Sequence, residues 1–142
     1  MNSPYRFDKF IKAQQGYYEQ ILSELRVGHK ITHWMWFIFP QLNGLGTSEM
    51  ARHYAIGSLD EARAYLQHPP LGTRLQECIA AVNAVQGRTI HQIFGSPDDM
   101  KFHSSLTLFY KADPSVGIFQ DSLEQYFAGQ LDERTLVLSN SY

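Results

Sequence analysis

Apolar residues recur along the chain at spacings of three and four, with charged residues between them, and that rhythm predicts helices nearly throughout. Phe7, Phe10, Ile11, Tyr17, Tyr18, Ile21, Leu22 and Leu25 form one stripe. Lys9, Lys12, Glu19 and Glu24 fall off it, so the spacing predicts one long amphipathic helix that stops at Gly28. The next segment, His33-Trp34-Met35-Trp36-Phe37-Ile38-Phe39-Pro40, suits a buried strand or a buried helix equally well by length and composition. A helix is the expectation, because no other segment offers a sheet partner, and Pro40 is expected to end it.

Beyond a glycine-bearing loop at Gln41 to Thr47, the pattern predicts a short helix around Ser48 to Tyr54. Ser58 with Glu61 three residues on reads as a capping box for a helix whose inner face is Leu59, Ala62 and Leu66. His68-Pro69-Pro70 breaks it, and the following helix turns Leu71, Leu75, Ile79, Val82 and Val85 inward before Gly87. A helical turn is expected from Thr89 to Phe94. Ser96-Pro97-Asp98-Asp99 then reads as a helix start, with a capping serine, a first-turn proline and two acids at the positive end of the dipole. Phe102, Leu106 and Phe109 line that helix; Phe119, Leu123, Tyr126 and Phe127 line another, and Asp132 caps a last turn through Thr135 to Leu138. The fold expected is all-α, one multi-helix domain of about seven or eight helices over residues 1–142, with its core at roughly 6–138.

Composition narrows the picture. A chain of 142 residues buries about two-thirds of the surface its unfolded form exposes, so its core needs no staple. An aromatic share of 13% excludes a disordered chain and predicts an aromatic-rich interior. Twelve basic against fourteen acidic residues, with no basic run, argue against a duplex nucleic-acid partner. A lone cysteine, Cys78, permits no disulfide within the chain and favours a reducing compartment; between Leu75 and Ile79 it reads as a buried, inert thiol. No secretory signal precedes Phe10, and the longest apolar run, Trp34 to Phe39, falls far short of the roughly 20 residues a bilayer span needs. No membrane partner and a cytoplasmic location are the expectations.

Two stretches carry candidate chemistry. In the first, His33 and Gln41 bracket the tryptophan segment, so Trp34 and Trp36 read either as core packing or as a stacking wall for a planar ring whose edge His33 and Gln41 would contact. In the second, Lys101, Ser104 and Ser105 share a helix face near its N-terminus, a donor set suited to an anion; the alternative is serines bonded back to carbonyls four residues earlier. His29 and His33 are four apart, but no H-E-x-x-H pattern or cysteine pair accompanies them, so no metal is expected. No cofactor motif appears either: Gly44-Leu45-Gly46 lacks the preceding strand that phosphate-binding loops require.

These stretches, together with Ser58-Leu59-Asp60-Glu61-Ala62-Arg63-Ala64-Tyr65-Leu66, His68-Pro69, Leu71-Gly72-Thr73-Arg74-Leu75 and Ile93-Phe94-Gly95 to Phe109, resemble the family catalogued as domain of unknown function 1810. The resemblance runs from about Arg6 to Leu136. It implies a mainly helical, bacterial-type domain and no established activity. Some relatives bear the label calpastatin, which suits a disordered inhibitor and not this composition. The family's motifs set His33, Gln41, Tyr54, Arg74, Lys101, Ser104 and Ser105 within apolar signatures, which implies a site with Arg74 and Lys101 as anion partners; the family usually has another basic residue where His29 stands. Three functions stay open. The first is binding of, or catalysis on, an anionic, ring-bearing, nucleotide-like small molecule, with His33 or His103 as general base. The second is a non-catalytic interaction module docking a partner on exposed aromatics. The third is a structural domain.

Overall fold

The computed structural model describes residues 4–140 and contains ten helices: α1 (Asp8–Gln14), α2 (Tyr18–Val27), α3 (Met35–Ile38), α4 (Glu49–His53), α5 (Leu59–Gln67), α6 (Leu71–Asn83), α7 (Ile90–Phe94), α8 (Asp98–Ala112), α9 (Gly117–Phe127) and α10 (Glu133–Ser139). The all-α expectation holds, with more and shorter helices than the stripes suggest. The long N-terminal helix is two helices: Gly16 adopts the left-handed conformation (φ +81°), which glycine enters without a Cβ penalty, and the chain turns there. Its apolar stripe continues across the turn, so the spacing conceals it. The tryptophan segment is one helical turn that Pro40 ends.

Side-chain caps fix several starts. Ser58 and Asp132 each accept the backbone N–H three residues on, as expected, and Ser48 does the same at the start of α4. The Ser58 box is half made, since Glu61 reaches back to the Gly57 N–H. A full box, Thr89 with Gln92, opens α7. Ser96 is not a cap: α8 begins one residue later than that role requires, and Pro97 occupies the capping position without a side-chain bond.

Helix α8 is central. It packs against α3, α5, α7, α9 and α10, while α6 lies against α2, α5 and α9. This position explains why α8 buries Ser104, Ser105, Thr107 and Leu108 as well as its expected Phe102, Leu106 and Phe109 stripe. Aromatic rings run through the interior: Phe10 meets Tyr65 edge-on at 5.2 Å, Tyr65 meets Phe109 at 5.4 Å, and Phe102 contacts Phe39 at 5.0 Å and Phe94 at 4.7 Å. One short parallel pairing, Leu42 with Ile56, ties the Gln41–Thr47 loop to the segment before α5. Among the described residues no helix is long and apolar enough to cross a membrane.

Candidate functional site

A wide groove lies where α1 and α2 face the stretch from Thr32 to Phe37. Gly28, left-handed at φ +81°, ends α2 and sends the chain back along it. The returning segment is held by Glu24, which the stripe placed off the core but which is 6% exposed. Its carboxylate accepts from the Ile31 N–H at 2.8 Å, the Thr32 N–H at 3.1 Å, the Thr32 hydroxyl at 2.6 Å, the Trp34 indole N–H at 3.0 Å and the Gln20 amide at 3.2 Å. Burial alone would raise this carboxyl, but bonds from Thr32, Ile31 and Trp34 outweigh it and hold the pKa at about 2. Lys30 turns inward beside it. Its ammonium donates to the Thr32 carbonyl at 2.6 Å, pairs with Asp98 at 3.0 Å and stands 5.1 Å over the Trp34 ring.

The resulting groove, about 490 Å³, is lined by Ala13, Tyr17, Gln20, Ile21, Thr32, His33, Trp34 and Phe37, and its walls are mainly apolar. Gln14, buried at the end of α1, fixes the floor from behind: its amide donates to the Phe37 carbonyl at 2.8 Å and accepts from Arg74 at 3.1 Å. Arg74 also lies 5.3 Å from the Tyr18 ring.

A second, small cavity brings together Trp36, Gln41, Tyr54 and Lys101, with Met35, Phe39 and Ala51 completing its wall. Its volume is about 10 Å³. Gly46 allows the loop to close over it, because a Cβ there would stand 2.4 Å from that of Ala51. The Lys101 ammonium stands 5.6 Å over the Trp36 ring and 3.8 Å from Asp98.

The ten residues singled out in the sequence therefore do not share one cavity. His33 and Trp34 line the groove, Trp36, Gln41, Tyr54 and Lys101 line the small cavity, and Arg74 sits behind the groove floor. The remaining three lie along α8. Ser104 donates to the Met100 carbonyl at 3.1 Å and to Asp132 at 3.3 Å, which is the back-bonded arrangement. The Ser105 hydroxyl is buried without a partner. His103 stacks on Phe127 at 3.9 Å and bonds the Gln130 carbonyl at 2.7 Å. Cys78 is buried, and burial pushes its thiol up to about 12. Among the described residues no three His, Cys, Asp or Glu side chains gather to hold a metal ion.

Glu24, Gln14, Gln20 and Lys30 are the groove-building polar residues that sequence reasoning missed. One signal was present: Glu24 is flanked by Ile21, Leu22 and Leu25, so it sits beside the stripe.

The chain matches the family described as Protein of unknown function (DUF1810) over residues 4–138. It is similar in structure to the conserved hypothetical protein Rv1873 from Mycobacterium tuberculosis, with 49% sequence identity, a TM-score of 0.95, and 99% of this chain and 100% of that chain covered. No curated protein matches it.

Proposed function

Since the chain belongs to the DUF1810 family, whose description assigns no activity, we propose from the groove's geometry that it is a binding domain for a small ring-bearing molecule. The observation that carries this reading is one mainly apolar groove of about 490 Å³ with polar groups along it. That volume falls within the roughly 300–1,000 Å³ of small-molecule sites. The exposed Tyr17 ring, with the edges of Phe37 and Ala13, offers apolar surface to a ring over a floor of buried Ile21 and Trp34, and Gln20, Thr32 and His33 offer hydrogen-bonding groups to its edge. His33 acts here as a binding partner. Arg74 and Lys101 do not line the groove, so the ligand class favoured is an uncharged planar ring such as a nucleobase, and phosphates would add little.

A thermal-shift panel of nucleobases, nucleosides and their phosphates tests this on wild type and on Ala13→Leu, which fills the groove from its wall. A binder at a hundred times its dissociation constant stabilises the fold by about 2.7 kcal/mol. Saturable shifts from the bare rings, lost in Ala13→Leu and not enlarged by phosphate, are the expected result. Equal shifts in both proteins, or none from any ring, count against the groove.

A second reading, the interaction module, is favoured by a different observation. Val27 and Ile31 are 71% and 68% exposed beside a further depression of about 260 Å³ that shares Gln20 with the groove. Under that reading, concentration-dependent self-association in sedimentation velocity is expected of the wild type and not of Ile31→Asp. A monomer at all concentrations would count against a second copy as the partner.

A further inference from the structure

The Gln41–Thr47 loop turns at Asn43-Gly44, and both residues are exposed. No other asparagine of the chain precedes a glycine: Asn2 and Asn140 precede serines, and Asn83 precedes an alanine. Asparagine is among the thermolabile side chains. Its carboxamide carbon is placed to close a five-membered ring with the backbone nitrogen of the next residue. Two things hold that closure back, the bulk of the following side chain and any bond that ties the nitrogen down. Gly44 has no side chain, and its φ of +104° is a conformation glycine enters without penalty. Among the described residues no protein group bonds the Gly44 N–H, the Asn43 carbonyl or the Asn43 side-chain amide. The bond that closes the turn, from the Leu45 N–H to the Leu42 carbonyl, is long at 3.4 Å, so the peptide unit between Asn43 and Gly44 rotates at little cost. Asn83 shows the contrast. It ends α6, and the nitrogen that follows it, that of Ala84, is bonded to the Ala80 carbonyl at 3.0 Å.

We propose that Asn43-Gly44 is a covalent modification site, at which the asparagine of the folded protein deamidates spontaneously through a cyclic imide. The Gly44 nitrogen loses its proton and bonds to Asn43 Cγ. The Cγ–Nδ2 bond breaks, and the amide nitrogen leaves as ammonia with that proton. Solvent water then opens the ring. Cleavage between Cγ and the Gly44 nitrogen yields aspartate, and cleavage between the main-chain carbonyl carbon and that nitrogen yields isoaspartate. Either product adds a negative charge to the loop, and isoaspartate also inserts a methylene into the main chain. That insertion falls between two attachments of the loop. On one side the Asn43 N–H bonds the Ile56 carbonyl at 2.8 Å. On the other Gly44 lies against α10, where a Cβ on it would stand 3.4 Å from Leu138 Cδ1. The site shares no residue with the ring-binding groove, so the inference stands whether or not that groove is filled.

The test uses the unmodified, folded protein, incubated in mildly alkaline and in mildly acidic buffer and followed by ion exchange and peptide mass spectrometry. A more acidic species should accumulate, faster in the alkaline buffer because the attacking nitrogen must lose its proton. Ammonia should appear in step with it, and the peptide spectra should place an acid for an amide at position 43, as aspartate and isoaspartate together. Asn43→Gln keeps an amide but would have to close a larger ring, and it should lose the acidic species completely. An amide still intact at position 43 of the folded protein, with conversion there confined to the chain unfolded in urea, would show that the turn protects it and would overturn the proposal. The same acidic species forming at the same rate in Asn43→Gln would place the chemistry elsewhere and overturn it too.

Discussion

Glu24 ties the segment after α2 to that helix, with five hydrogen bonds to its carboxylate. A buried carboxylate is costly unless donors surround it, and Ile31, Thr32, Trp34 and Gln20 supply them. Its carboxyl is lowered from the ordinary 4.5 to about 2, so the folded state favours the ionised form. The stability this contributes is fully present above pH 4.5 and is lost as pH falls through 2. A shift of that size corresponds to on the order of 3 kcal/mol. Glu24→Gln is therefore expected to be less stable than wild type by about that much at pH 7, with the gap narrowing between pH 4.5 and 2. Urea unfolding of both proteins across that range checks it, and a gap independent of pH would refute the role. Only the place of Glu24 among Ile21, Leu22 and Leu25 was legible in the sequence; its bonding was not. The partners of Glu24 lie up to ten residues away and those of Gln14 up to 60, so no local pattern identifies them.

Elements were legible where their signals are local. Ser58 and Asp132 announce helix starts because a cap acts on the residue three along. The stop at Pro40 and the break at Pro69-Pro70 follow from proline's missing donor. The turn at Gly16 was hidden, since it leaves the apolar stripe unbroken, and Ser96 misled because a capping residue type is no guarantee of the capping position. The tightest junction is between α5 and α6. A Cβ on Gly72 would stand 1.9 Å from the Leu66 carbonyl oxygen, a backbone atom in the last turn of α5. Gly72→Ala cannot relieve that clash by a rotamer change, so the helices must separate. Its expected cost is at or above the top of the roughly 1–3 kcal/mol range for overpacked cores. Denaturant unfolding measures it, and a loss under about 0.5 kcal/mol, the size of an ordinary surface change, would show that the junction is loose.

At the scale of the molecule, the central place of α8 separates the candidate residues. Its buried length takes Ser104 and Ser105 into packing, its N-terminal end brings Lys101 to Trp36, and Arg74 lies on α6, beside α2. Polar residues inside apolar motifs were a poor sign of burial, since only Ser104 and Ser105 of them are buried and His33 is exposed, and a poor sign of proximity, because motif membership says nothing of which face a residue shares with another motif. The two tryptophans illustrate this: two positions apart, Trp34 faces the groove and Trp36 the small cavity. Each indole N–H gives its own signal in a proton–nitrogen correlation spectrum, so one experiment watches both places. On titration with uncharged planar rings, adenine first, the Trp34 signal and the amides of Ala13, Gln20 and His33 are expected to move saturably while the Trp36 signal stays. If no ring moves the Trp34 signal, or if shifts scatter over faces remote from the groove, the groove is not a binding site.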